Sequence, residues 1–388
     1  MIIVIDSIAS PVYSRYRIKN SYHYLFSLVF KYAKRELRRL IMSVQFNNIA
    51  IKVLLGGVIL SFATMPVIAT ADGEVSLYSA RKEKLIKPLL DKFTALTGIT
   101  VNLVTGKADA LLKRLEVEGK NSPADLFITT DAGRLHRAKV AGVLQKVDSD
   151  ILNKAIPSNL RDKDGTWFGL SQRARPIMYV KGKIKPEELS TYEALADAKW
   201  KNRICIRGSG NIYNQSLVAS MISSIGVEKT EAWAKKFVAN FARPPKGGDR
   251  DQIKAAAAGQ CDIAIANTYY LGKMIHGKDE YQKKAAAAVA IFWPNQDGRG
   301  GHVNVSGVAM TKSAKNKNNA KKLMEFLVNK DSQQWYASSN HEYPVVADTK
   351  WSDTLTSWGK FKADQLNLSK LGELNADAVK LMDRAGWK

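Results

Sequence analysis

From Glu74 onward the apolar positions change period in a regular way. EVSLYSA (74–80) alternates like a half-buried strand, and KEKLIKPLLDKFTALTG (82–98) sets Leu85, Ile86, Leu89, Leu90, Phe93 and Leu96 at helical spacing. Residues 99–104 then alternate again. Gly98 is the expected helix stop. Pro88 conflicts with a helix interior and fits only the first turn or a kink. ALLKRLEVEG reads as a helix, ADLFITTD as a short buried strand and AGRLHRAKVAGVL as another helix. Such alternation predicts an α/β fold with a largely parallel sheet.

The second half follows the same grammar. RICIRG is strand-like, NQSLVASMISSIG and EAWAKKFVANFA are helical, and DRDQIKAAAAGQCDIAIANTYY runs from helix to strand to turn. Asp249 with Gln252 three residues later forms a capping-box-like start, and Gly259 is the expected stop before a strand over 261–266. Farther on, HVNVSGVAMT reads as a strand, with NNAKKLMEFLVN and SQQWYASS as helices. There is no internal sequence repeat. Two α/β lobes with a ligand between them follow, because small-molecule sites favour domain interfaces and the C-terminal ends of parallel strands.

The run VLLGGVILSFATMPVI (53–68) follows Lys52 and precedes Ala69-Thr70-Ala71, the small-x-small pattern that signal peptidase cuts. Cleavage near Ala71 is expected, with residues 42–71 as signal peptide and Met42 as initiator. An uncleaved anchor is the other reading, but the run is short for a span and contains Pro66. Residues 1–41 are then an upstream extension without a folded role, or else a disordered basic arm. The chain carries a formal charge of +23; residues 1–71 hold nine Lys/Arg and two Asp/Glu, so residues 72–388 keep 50 against 34, or +16. No zinc-finger spacing, basic recognition helix or interleaved aromatic and basic motif accompanies that charge, which argues against nucleic acid and for a solvated positive surface suited to small anions. Cys205 and Cys261 each head a strand-like run, and in an exported chain a bridge between them is expected. On the chain-entropy model it contributes roughly 3 to 4 kcal/mol.

Catalytic constellations are missing. There is no GxSxG, HExxH, P-loop or strand-linked GxGxxG, and His23, His136, His276, His302 and His341 lack metal-ligand spacing. Asp125 and Asp131 flank a strand end, where helix capping is the commoner role. Tyrosine placement is more informative. Asn267-Thr268-Tyr269-Tyr270 sits just past CDIAIA, and Asn211-Ile212-Tyr213-Asn214 just past RICIRG, the same position in its own unit. Three phenols at one sheet edge can converge. A single tyrosine there is an ordinary amphipathic rim residue, but a vicinal pair with a third is a rarer pattern. Phenols titrate near 10, so a trio ionises only beside strong positive charge. A hard trivalent cation is the natural partner.

The segments YSAR (78–81), SPADLF (122–127), WFGL (167–170), RICIR (203–207), YNQS (213–216), GGDRDQ (247–252), NTYY (267–270) and NVSG (304–307) resemble, in order and spacing, the periplasmic ferric-iron-binding proteins of bacterial ABC transporters. The resemblance spans residues 73–388. It implies a type II periplasmic-binding-protein (Venus flytrap) fold, with residues 72–172 plus 302–350 as the N-terminal lobe and 173–301 plus 351–388 as the C-terminal lobe. It also implies a monomeric, non-enzymatic periplasmic receptor that delivers ferric ion to an inner-membrane permease. Tyr213, Tyr269 and Tyr270 match the phenolate ligands. Lys82 and Glu83 stand where one subgroup has a His-Tyr pair, and Thr130 near where another has a Glu, so the resemblance is to the subgroup that completes coordination with a synergistic anion, usually carbonate. Arg81 is the candidate anion holder, a planar fork for a planar oxyanion, its other reading being a surface salt bridge. Ser209, Gly210 and Asn211, opening a helix, are further donors. Tyr78, Asn267, Arg173 and Arg175 are candidates for support around the site, with Arg173 and Arg175 in a segment that resembles the first hinge crossing. Two rivals stand beside this reading: a same-fold receptor for an oxyanion or organic cation, with the tyrosines as aromatic walls, and an exported hydrolase using Asp125 or Asp131.

Overall fold

The computed structural model describes residues 73–388; the signal-like run, Met42 and the upstream basic patch lie outside the described residues. Eleven strands fall into two sheets: β1 Glu74–Ser79, β2 Thr100–Thr105, β3 Leu126–Thr130, β4 Leu144–Gln145, β5 Phe168–Ala174, β6 Ile177–Val180, β7 Ile204–Cys205, β8 Ile263–Ile265, β9 Val289–Phe292, β10 Val303–Thr311 and β11 Tyr343–Pro344. The first sheet has the order β11-β5-β10-β3-β1-β2, with β4 also on β10; the second has the order β7-β8-β6-β9. Helices pack on both, as the change of period predicts.

The sheets are mixed rather than largely parallel. β1 is parallel to β2 and β3, and β7 to β8, whereas β10 runs antiparallel to β3, β4 and β5, and β6 antiparallel to β8 and β9. The cause is the way the chain changes sheets. β5 ends in the first sheet and, after Arg175-Pro176, β6 begins in the second; the chain returns from β9 to β10, which enters between β3 and β5. The two crossings touch. Arg175 N donates to His302 O at 3.1 Å. The Tyr192 hydroxyl donates to Arg175 O at 2.7 Å and accepts from His302 N at 3.2 Å.

Local signals hold with small corrections. Helix Lys87–Thr97 starts late enough to put Pro88 in its first turn, and Gly98 ends it in the left-handed conformation at φ 71°. Leu96, expected on the buried face, is 66% exposed in the last turn of the helix, next to its stop at Gly98. Helix Asp249–Ala257 is capped at Gly248, whose N–H donates to Asp251 Oδ2 at 2.7 Å, and not by an Asp249–Gln252 box. Asp249 is buried and otherwise engaged. Cys205 of β7 and Cys261, two residues before β8, are bonded, with Cα atoms 5.9 Å apart. The C-terminal tail straddles both halves: helix Ser369–Glu373 packs on helix Ala132–Val140 and on helix Ile212–Ile225. Among the described residues no helix is long and apolar enough to cross a membrane.

Candidate metal site

β7 and β8 run parallel, so the chain leaves both at one edge of the second sheet. After β7, Asn211 caps helix Ile212–Ile225, its side chain accepting from Tyr213 N at 3.2 Å. After β8, Asn267 precedes helix Thr268–Ile275. Tyr213 is therefore the second residue of one helix, and Tyr269 and Tyr270 the second and third of the other. Two helix N-termini present phenols to one spot, each with the partial positive charge that favours an anionic ligand atom. The Tyr269 hydroxyl donates to that of Tyr213 at 3.3 Å, and the Tyr269 and Tyr270 rings lie 4.3 Å apart, tilted by 34°. All three line a cleft of ≈ 810 Å³.

Cations surround the phenols. Arg173 lies 5.4 Å and Lys273 5.1 Å from the Tyr269 ring centre, Arg207 5.8 Å from that of Tyr213 and Arg250 5.6 Å from that of Tyr270. Burial, then the crowding of the neighbouring phenols, nevertheless pushes the Tyr269 hydroxyl well above its ordinary value, with Arg173 opposing. Burial and Tyr213 push Tyr270 up to about 12. Burial lowers Lys273 to about 8. Tyr269 and Tyr270 thus hold their protons well past neutrality and give them up only to a strong Lewis acid.

Arg175 is the hub beneath. Its Nη1 donates to Asp249 Oδ1 at 2.8 Å and Asn267 Oδ1 at 3.0 Å, its Nη2 to Asn214 Oδ1 at 2.7 Å and Ile265 O at 3.2 Å. One buried guanidinium from the first crossing thereby fixes the starts of both tyrosine-bearing helices. Asp249 also receives Arg207 at 3.1 Å, so two arginines share it.

The facing wall comes from the first sheet and includes Arg81, Lys82, Thr130 and Arg173. Arg81 is 4% exposed rather than a surface group, and donates through both terminal nitrogens to Glu342 Oε2, at 3.1 and 3.0 Å. Arg173 donates to Ser306 and, at 3.4 Å, to Glu342 Oε1. Ser171 donates to Glu342 Oε2. Burial opposes the charge on Glu342, but Arg81 and Arg173, with the Ser171 hydrogen bond and Lys273, hold it ionised, down at about 2. The other candidates sit farther off. The Ser209 N–H goes to the C-terminal Lys388 O at 3.3 Å, the Asn211 side chain is used in its own cap, and neither they nor Gly210 line the cleft. Tyr78 is buried against Glu118, to which its hydroxyl donates at 3.0 Å, away from the other tyrosines.

Sequence reasoning missed Glu342, Lys273 and the roles of Arg207 and Arg250. Arg207 and Arg250 lie inside the quoted segments, so proximity to the tyrosine motifs was an available signal. Glu342 gave none, since its partner Arg81 is 261 positions away.

Chemically the site suits a hard cation on phenolate oxygen. Among the described residues no group of three or more His, Cys, Asp or Glu could hold a metal, which leaves the phenols as the convergent ligand set. The hydrolase candidates are consumed structurally. Asp125 accepts from the N–H groups of Ser76, Lys315 and Asn316 at 2.8, 2.8 and 2.9 Å. Asp131 accepts from Gly133 N, Ser216 Oγ and Asn304 Nδ2 at 2.9, 2.8 and 2.9 Å. Both oxygens of each carboxylate are engaged in these buried, structural hydrogen bonds.

A family model described as bacterial extracellular solute-binding protein matches residues 78–334. The chain is 53% identical over 315 residues to iron uptake protein A1 of Synechocystis, covering 81% of this chain and 88% of that protein. Among solved structures, the Trichodesmium FutA (IdiA) protein in complex with iron and citrate matches with a TM-score of 0.80 at 52% identity, over 81% of this chain and 100% of that one. The ferric binding protein from Campylobacter jejuni matches with a TM-score of 0.77 at 42% identity, over 81% and 100%.

Proposed function

Because this chain belongs to the bacterial extracellular solute-binding protein family and has the two-lobed type II periplasmic-binding-protein fold, we propose that it is the exported receptor of an iron importer. It takes ferric ion into the cleft on Tyr213, Tyr269 and Tyr270 with an accompanying oxyanion, and delivers the ion to an inner-membrane ABC permease. The observation that carries the reading is the convergence of three hydroxyls at two helix N-termini, with Tyr269 and Tyr213 3.3 Å apart. Three phenolates neutralise a trivalent cation without a carboxylate or imidazole.

The lobes divide as 72–172 plus 302–350 and 173–301 plus 351–388, a division supported by the change of sheet at Arg175-Pro176 and the return at β10. Closing about these crossings brings the arginine wall onto the phenols. Residues 42–71 act as a signal peptide cut near Ala71, giving a free periplasmic monomer stapled by Cys205–Cys261. Carbonate is the expected anion, and citrate, which the Trichodesmium relative holds with its iron, is the competitor to test beside it. Iron content after ferric loading and gel filtration tests the reading: about one iron per chain in the wild type, lost in Tyr213→Phe, follows from a 1:1 site of three phenolates. Absence of retained iron in the wild type would return the same-fold oxyanion or organic-cation receptor to first place.

A further inference from the structure

The wall facing the phenols carries a feature that the tyrosines do not explain. Two arginines share one carboxylate, and Arg81, Arg173 and Glu342 are only 4, 2 and 2% exposed. Glu342 has little latitude. It follows His341, which turns the chain at φ 54° after helix Lys330–Asn340, and precedes Tyr343 of β11, which is laddered to β5. Its Oε2 receives Arg81 and Ser171, and its Oε1 receives Arg173. The triad keeps one positive charge in surplus in a dry setting, where an uncompensated charge is costly. That surplus faces the cleft: Arg81 lines it, and Arg173 reaches the Tyr269 ring. Nε of each arginine has no hydrogen-bond partner among the described residues.

We propose that Glu342 is a positioning residue that holds Arg81 and Arg173 at the phenol cluster and cancels one of their two charges, so that its carboxylate sets how strongly the cleft draws the anion accompanying ferric ion. The proposal rests on the ferric-plus-anion reading above. Its consequence runs against a merely structural role: removing the carboxylate's charge leaves both arginines unneutralised and makes the site hold an oxyanion more tightly.

The experiment titrates bicarbonate into bicarbonate-free protein supplied with ferric ion from a weak chelate, reading the phenolate-to-iron band in the wild type, Glu342→Gln, Glu342→Asp, Arg81→Gln and the Arg81→Gln/Glu342→Gln double variant. One unit charge a few ångströms from the anion, partly screened, is expected to lower half-saturating bicarbonate about tenfold or more in Glu342→Gln and to raise it similarly in Arg81→Gln. The double variant restores the triad's net charge and is expected within about threefold of the wild type; Glu342→Asp keeps the charge but is one methylene shorter, so its half-saturating bicarbonate is expected not to fall below that of the wild type, and a fall like that of Glu342→Gln would overturn the charge argument. Half-saturation in folded Glu342→Gln equal to or above that of the wild type overturns the proposal. If Glu342→Gln does not fold, the double variant decides: half-saturation no lower than in Arg81→Gln alone overturns it, and recovery supports it. A wild type that forms no band at all defeats the ferric reading itself, a different outcome from a wild type that forms the band while Glu342→Gln matches it.

Discussion

Replacing Arg175 with methionine removes the guanidinium at which the two tyrosine-bearing helices meet. Arg175 is 1% exposed and holds Asp249, Asn267, Asn214 and the Ile265 carbonyl. Methionine replaces most of the stem but none of the donors. Asp249, also 1% exposed, keeps only Arg207 at 3.1 Å. Removing one partner of a buried ion pair costs about 3–5 kcal/mol. The retained Arg207 pulls toward the low end, and the three acceptors left without Arg175 pull toward the high end, so about 4 kcal/mol is expected. That is a large fraction of the roughly 5–15 kcal/mol by which proteins of this kind are stable. The assay is urea unfolding followed by far-ultraviolet circular dichroism and by tryptophan fluorescence, with coincidence of the two as the check on a single transition. Adding Asp249→Asn to Arg175→Met should cost at least about 1 kcal/mol less than the sum of the two single changes, because the second substitution removes the charge the first one strands. A loss below about 1 kcal/mol for Arg175→Met would refute the hub.

Three further outcomes follow from the geometry. Tyr269 and Tyr270 are protonated until well above neutrality, so binding as phenolates releases their protons, and ferric affinity measured against a competing chelator rises with pH by at least about two log units per pH unit below pH 8; a flat profile would exclude the raised phenols as ligands. Reducing Cys205–Cys261, or changing both to serine, lowers unfolding free energy by roughly 3 to 4 kcal/mol while leaving ferric loading at saturation unchanged, checked by denaturation with and without reductant. Gly272→Ala places a Cβ 2.7 Å from His341 Cγ, where helix Thr268–Ile275 of the second half meets the turn after helix Lys330–Asn340 of the first; slower capture of iron by stopped flow with normal thermal unfolding is expected, and unchanged capture would show that this contact does not limit closure.

Much of the scaffold was legible because its signals are local. Gly98 and Gly259 stop helices where the pattern says they should, both with positive φ, at 71° and 78°. Pro88 sits in a first turn, as its chemistry demands. The tyrosine cluster was legible for a different reason. Chain order placed Tyr213 and Tyr269-Tyr270 after two strand-like runs, and only the parallel pairing of those runs was needed to bring them to one edge. What escaped depends on partners far apart in sequence. The antiparallel entry of β10 between β3 and β5 has no local signature, nor has the Glu342 carboxylate that binds arginines 261 and 169 positions away. Arg81 shows the limit of residue-type reasoning: a guanidinium suited to an oxyanion is already paired with a side-chain carboxylate, and chemistry alone does not tell one planar anion from the other. Asp249 likewise reads as a cap in sequence, yet it serves as counter-ion to Arg175 and Arg207 because the cap passes to Gly248 and Asp251.

The visible absorption spectrum of the purified protein, metal-free and after ferric loading with bicarbonate, tests the central claim most directly. The account predicts a phenolate-to-iron charge-transfer band that appears on loading in the wild type and is absent from a Tyr269→Phe/Tyr270→Phe variant that still folds. A colourless loaded wild type, or a band that survives in the double variant, would contradict it.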